Sequence, residues 1–293
     1  MGRIITTDGL VVRVYPRGEQ DSLLYLLTPE RGRLSVVVRH GQSGRDRLAA
    51  VSQLFTWGNF ELSDSHGTLW LRSGSVLSSF YGLSADLTDM ALGAYLCDLA
   101  GEVVYAADPP TPEARETDEM AVFGERLLRM LLNSLYTLER HNKPAAQVKG
   151  VFEWRTAALA GFCPALDACA LCGDRYPAEA YLDVMNGRLI CDGCKQRLNR
   201  GVLGAGEAEA LGERSIILPL TVPVLAALRA ALVAPDKRIF SFSLEPTDAA
   251  AFAEVTEAYL LHHLERDFDT LHFYRSVAEP PTRRTDPAGG VPS

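Results

Sequence analysis

A chain of 293 residues, 47% of them hydrophobic, is long enough for about two or three domains with real cores, and it is neither collagen-like nor disordered throughout. No apolar run approaches the length of a membrane span, and Met1-Gly2-Arg3-Ile4-Ile5-Thr6 lacks the pattern of a secretory signal, so a cytoplasmic protein is expected. A net charge of -8 excludes a uniformly basic nucleic-acid coat, yet arginine exceeds acid between Met1 and Phe80, making this the basic end of an acidic protein.

The first eighty or so residues read as short strands. Leu10 to Tyr15 alternates, with Leu10, Val12 and Val14 on one face; Ser22 to Leu27 is continuously apolar; Arg33 to Arg39, Gln53 to Leu62 and Thr68 to Leu77 complete the set. Turn signals at Pro16-Arg17-Gly18, Pro29, Gly41 to Gly44 and Ser65-His66-Gly67 separate them. Five short strands in that length suit a small closed barrel such as the OB fold, which commonly binds single strands.

The segment Arg39 to Arg47 holds three arginines, two glycines and one acid, a flexible backbone carrying guanidinium forks that suit phosphate; a solvated basic loop has the same composition. By period two, Trp70 and Arg72 share a strand face, and so do Phe55 and Trp57. An aromatic there can stack a base or fill the core.

From Asp86 the period becomes helical. Leu87, Met90, Ala91, Ala94, Tyr95, Asp98, Leu99 and Val103 recur at threes and fours, and Asp108 to Pro112 is a break. Thr111 with Pro112 and Glu113 resembles a helix start, followed by an apolar stripe from Phe123 to Leu138 and a stop at His141 to Pro144. Another helix covers Ala145 to Leu159 and ends at Gly161.

Cys169-Ala170-Leu171-Cys172 and Cys191-Asp192-Gly193-Cys194, with eighteen residues between, have the spacing of a four-cysteine zinc site. Gly173 and Gly193 suit tight turns near a metal, and Asn186-Gly187 between apolar runs signals a hairpin, so a zinc ribbon is expected. Redox pairs and disulfides are the competing uses of these cysteines; the former want a thioredoxin-like context and the latter a secreted chain. Four thiolates leave no open position, so a zinc there is structural. Cys97 and Cys163 are expected to be buried thiols.

Gly201, Gly204 and Gly206 mark a loop returning the chain to the helices. Val222 to Leu232 and Thr247 to Tyr274 show helical spacing, the last capped by Pro246-Thr247-Asp248, and the Pro/Gly-rich tail should be disordered. His262 and His263 are adjacent and so point apart on a helix. No phosphate loop, dinucleotide fingerprint, nucleophile elbow or His-x-Glu deaminase pattern occurs, which removes the commoner ways of activating ATP, a cofactor, a nucleophile or water; a protein without enzymatic turnover is expected ahead of an enzyme with an unrecognised site.

Ala158 to Gly173, with Gly161, Pro164, Leu166, Cys169, Cys172 and Gly173, then Gly187, Cys191 and Cys194, resembles the bacterial recombination mediators of the RecO family. Gly9-Leu10-Val11-Val12, Ser22-Leu23-Leu24, Thr28 to Gly32 and the arginine loop before Leu48-Ala49-Ala50 resemble it too, so the likeness runs from about Ile4 to Phe273. It implies a multidomain α+β protein: an OB-fold DNA-binding domain over 1–80, an α-helical domain over 81–275 with a zinc ribbon inserted at 165–200, and a disordered tail over 276–293.

It also implies a DNA repair and recombination mediator that binds single- and double-stranded DNA, anneals complementary strands and works with RecR to load RecA onto strands coated by SSB, whose tail docks on the helical domain. The expected sites are Cys169, Cys172, Cys191 and Cys194 for zinc, and Arg13, Arg33, Arg39, Arg45, Arg47 and Arg72 for DNA, with a cytoplasmic, nucleoid-associated location. A zinc-ribbon transcription or RNA-binding module is the alternative.

Overall fold

The computed structural model describes residues 3–39, 48–104, 118–200 and 216–278. Arg45 and Arg47, the helix start at Thr111, the Gly201 to Gly206 loop and nearly all of the proline-rich tail lie outside the described residues.

Five strands, β1 (Ile4–Arg17), β2 (Asp21–Thr28), β3 (Gly32–Val38), β4 (Thr56–Ser65) and β5 (Thr68–Ser79), close into a barrel of order β1-β2-β3-β5-β4. Only the β3–β5 pair is parallel, as the OB topology requires. Val11, Leu24, Leu26, Val36, Val38, Phe60 and Leu62 fill its interior.

The expected alternation of Leu10, Val12 and Val14 fails at one point. A bulge between Val11 and Arg13 shifts the phase, so Leu10 and Val12 pack outward into the helical core, whereas Val14 pairs with Leu24. The fourth strand also starts later than Gln53, because Phe55 adopts a left-handed backbone (φ 67°) and turns its ring into the core.

Helix α1 (Leu87–Val103) starts at Asp86, whose carboxylate accepts the N–H groups of Thr88 and Asp89 at 2.8 and 3.0 Å. It is buried on nearly every side, since it lies between the barrel and the other helices. Helix α2 (Asp118–Glu139) buries Leu127, Leu128, Leu131, Leu135 and Leu138, and α3 (Ala145–Leu159) follows Pro144. Among the described residues no helix is long and apolar enough to cross a membrane.

A small sheet of order β6-β8-β7-β9 then interrupts the helices: β6 (Ala165–Cys169), the hairpin β7 (Ala180–Asp183) and β8 (Arg188–Cys191), and β9 (Ile217–Leu220). A helix not expected from the sequence, α4 (Asp192–Asn199), follows β8. Helix α5 (Val222–Val233) returns to the body with Thr221 as its cap, the Thr221 hydroxyl accepting from Val224 N–H.

The single helix expected from Thr247 to Tyr274 is two, α6 (Pro246–Leu264) and α7 (Asp269–Ala278). Glu265, left-handed at φ 49°, ends the first, which begins with Pro246 as its first residue and no side-chain cap at Glu245. The chain thus has mixed α+β architecture: an OB barrel followed by a helical body with the four-cysteine sheet module set into it.

Candidate metal centre and nucleic-acid interface

The sulfurs of Cys169, Cys172, Cys191 and Cys194 all lie within 4.8 Å of one another. Tetrahedral zinc at about 2.3 Å from each sulfur wants them roughly 3.8 Å apart, and Cys172 Sγ to Cys191 Sγ is 3.6 Å. The donor set and its geometry therefore fit zinc.

The first pair sits in a turn at the end of β6. Gly173 N–H donates to the Cys169 carbonyl at 2.9 Å, and Gly173 has φ 77°, a conformation that glycine adopts without steric cost. The second pair is built differently. Cys191 is the N-terminal flanking residue of α4 and Cys194 lies in its first turn, so Gly193 is helical and not a left-handed turn. Burial outweighs the helix N–H groups there and holds both thiols up, Cys191 to about 12.

Burial alone would raise the Cys169 thiol. Backbone N–H groups of Cys191, Cys172 and Leu171 outweigh it and bring Cys169 down to about 7. The Cys191 N–H to Cys169 sulfur distance is 3.3 Å.

Arg197 Nη2 donates to Cys194 Sγ at 3.0 Å. The sequence offers Arg197, with Arg188, Lys195 and Arg200, as a basic flank of the zinc ribbon; three positions on a helix instead bring its side chain to the same face as Cys194. Lys195 lies over the Tyr181 ring at 3.5 Å, and Arg188 bonds the buried Asp183 carboxylate at 3.1 Å. Both are fixed within the module.

The other cysteines divide. Cys97 is buried and its thiol is pushed up by burial, but Cys163 is exposed, because the chain beyond Gly161 (φ 98°) runs along the surface. His263 Nε2 is 2.9 Å from the Val184 carbonyl and its ring is stacked with Phe162; it and His262 share no metal-binding group with an acid or cysteine among the described residues.

On the barrel, the expected arginines separate into two groups. Arg39 and Arg72 line one open depression of about 380 Å³ together with Ser63, Asp64, Ser65, Trp70 and Leu71. The Arg39 guanidinium lies over the Trp70 ring, 4.7 Å from its centroid, and Arg72 is half-exposed, 3.9 Å from Glu61. Trp57 instead packs against the core, and Phe55 is buried.

Arg13 and Arg33 face α1. Arg13 pairs with Asp98, and Glu102 Oε1 is 3.9 Å from Arg13 and 3.2 Å from Arg33. Sequence spacing carries no sign of these partners, which lie some seventy or more positions away.

Residues 1–80 match the family described as "Recombination protein O N terminal", and residues 123–272 match "Recombination protein O C terminal". A protein named "DNA repair protein RecO" from Anaeromyxobacter sp. is 30% identical over 283 residues, covering 94% of this chain and 98% of its own length. Its namesake from Desulforudis audaxviator is 30% identical over 271 residues, with 92% and 96% covered. One from Acetivibrio thermocellus is 23% identical over 273 residues, with 93% and 97% covered.

Proposed function

Because the chain belongs to the RecO family, whose similar members carry the name of a DNA repair protein, we propose that it is a recombination mediator that binds and anneals DNA without enzymatic turnover. The observation that carries the DNA-binding reading is the guanidinium of Arg39 laid over Trp70 beside Arg72 on an open face of an OB barrel. An aromatic platform flanked by guanidiniums stacks a base while neutralising the adjoining phosphates. Arg45 and Arg47 follow Arg39 closely in sequence and extend the same positive segment.

Annealing then follows from physics. Two complementary strands repel through their phosphates, and a surface that neutralises them while leaving base edges open lowers that barrier. No bond has to be made or broken by the protein.

The zinc bound by Cys169, Cys172, Cys191 and Cys194 is structural, holding the turn after β6 against the start of α4. In this reading the protein acts in the cytoplasm on the nucleoid, with RecR, to place RecA on strands coated by SSB. For the SSB tail, which is acidic, apolar and ends in a carboxylate, the groove between the sheet module and α5 offers a suitable seat. It holds about 290 Å³ between Tyr176, Pro177, Ala180, Leu220, Leu225 and Arg229.

The test is annealing of complementary single strands coated with SSB. Acceleration over the protein-free rate is expected. A transcription or RNA-binding module would bind nucleic acid without accelerating it, and that result would refute the mediator reading.

A further inference from the structure

The ligand surface of an OB barrel is the outer face of its second and third strands with the adjoining loops. Here that face is only partly covered. Leu10, Val12 and Leu27 are buried under the helices, and Gly101 of α1 passes close to Arg33 and Val12. Beyond this apolar patch the face continues as a rim of different chemistry. Arg13 pairs across the strands with Tyr25, and Arg33 pairs with Leu27, so the phase of β1–β2–β3 puts both guanidiniums on the outer side with Tyr25.

The rim alternates rings and cations. Tyr15 and Tyr25 meet edge-on with centroids 5.7 Å apart. Arg13 lies 5.6 Å from the Tyr15 centroid and Arg33 lies 4.9 Å from that of Tyr25. A third cation enters from the end of α6: Arg266, half-exposed, reaches Glu102 Oε2 at 2.8 Å. Three guanidiniums thus surround two carboxylates, Asp98 and Glu102, and Glu102 alone is within ion-pair distance of all three.

We propose that Arg13, Arg33 and Arg266, with Tyr15 and Tyr25, form a second single-strand site on the barrel rim, in which Glu102 occupies the place of a backbone phosphate. An oxyanion held by three guanidinium forks is what such a cluster would offer a phosphodiester. The excess of one positive charge favours an anion over a neutral ligand, and the two rings give a base something to stack on. Exchange of Glu102 for phosphate needs only side-chain movement at a partly exposed site; the apolar docking of α1 is left in place. The carboxylate therefore restrains strand binding at this rim and reserves it for a strand already engaged elsewhere on the barrel.

This inference rests on the DNA-binding reading above, and one experiment separates the two. Binding of a fluorescent poly-dT oligonucleotide is measured across a salt series for the full chain, for Glu102→Gln, for Arg13→Gln/Arg33→Gln/Glu102→Gln, and for Glu254→Gln, an exposed acid on α6 that serves as the generic-charge control.

Glu102→Gln should bind several-fold more tightly, with a log–log salt slope steeper by about 0.7 for each additional phosphate that the freed guanidiniums neutralise. The triple variant should lack that increase in affinity, and Glu254→Gln should show little of it. An unchanged affinity and slope for Glu102→Gln, an increase that survives in the triple variant, or an equal increase in Glu254→Gln would each overturn the proposal. No binding by the unaltered chain would instead refute the DNA-binding reading itself.

Should Glu102→Gln fail to fold, Arg266→Gln at its exposed position carries the test. Weaker binding and a flatter slope than the parent are expected, and unchanged binding overturns the proposal.

Discussion

Arg39 and Trp70 come from β3's end and from β5, the two strands whose parallel pairing closes the barrel, and the cation sits 4.7 Å from the indole centroid. The stacking orients a flexible guanidinium and leaves the ring partly exposed beside Arg72. It joins the barrel's closure to the open depression lined by Arg39 and Arg72.

Trp70→Ala should weaken single-strand binding by about 1–3 kcal/mol, the range for removing one stacked base, and Trp70→Phe should retain most of it. Fluorescence anisotropy with a labelled oligonucleotide reads this directly. Equal affinities for the parent and Trp70→Ala would remove Trp70 from the interface.

For the metal centre, elemental analysis of protein purified without chelator should find one zinc per chain. Cys169→Ser should lower that content and loosen the module between β6 and α4, since binding free energy at such a site is folding free energy. Protein that is folded and zinc-free, with a parent-like melting curve, would contradict the assignment.

At the groove beside α5, a peptide with the acidic, carboxylate-ended sequence of an SSB tail should bind at low salt. Leu225→Glu should abolish this by placing a carboxylate in the apolar lining, while leaving DNA binding by the barrel unchanged. Calorimetry that finds no heat for the parent, or parent-like binding by Leu225→Glu, would move the tail elsewhere.

The helical core contains its own buried ionic group. Lys149 bonds Glu153 at 2.8 Å and Glu257 at 2.7 Å, while Tyr95 and Thr256 donate to Glu153 at 2.8 and 3.0 Å. Lys149→Met leaves a carboxylate buried without its cation and should cost about 3–5 kcal/mol in urea unfolding. Burial already raises Glu153 above the ordinary carboxylate range, with Lys149 opposing it. Without the lysine the native state holds a proton that the unfolded state releases. Stability of the variant should therefore rise as pH falls from neutral toward the unfolded glutamate value, and adding Glu153→Gln should remove that dependence. A variant whose loss of stability does not vary with pH would refute this account.

Much of this organisation is legible in the sequence where the signal is local. Pro144 and Gly161 bracket α3, Asn186-Gly187 closes the β7–β8 hairpin, and paired cysteines announce their cluster by spacing alone. What is hidden depends on interactions between distant residues or on one residue's backbone. The bulge at Val11–Arg13 and the left-handed Glu265 carry no Gly or Pro to mark them, so periodicity alone gives the wrong strand phase and helix length there. Arg13 and Arg33 are expected at the DNA interface because the sequence does not show that their acids lie on α1, and Arg266 joins them only through the fold. The second cysteine pair resembles a turn in sequence, yet it begins a helix.

DNA is expected to bind the open barrel face through Arg39 and Arg72. The direct measurement is the salt dependence of single-strand affinity for Arg39→Glu/Arg72→Glu, with zinc content and melting curve confirming the fold. Affinity should fall for every sequence alike, and the log–log slope should flatten by about 0.7 for each phosphate no longer neutralised. A folded double variant with the affinity and slope of the parent would contradict the account.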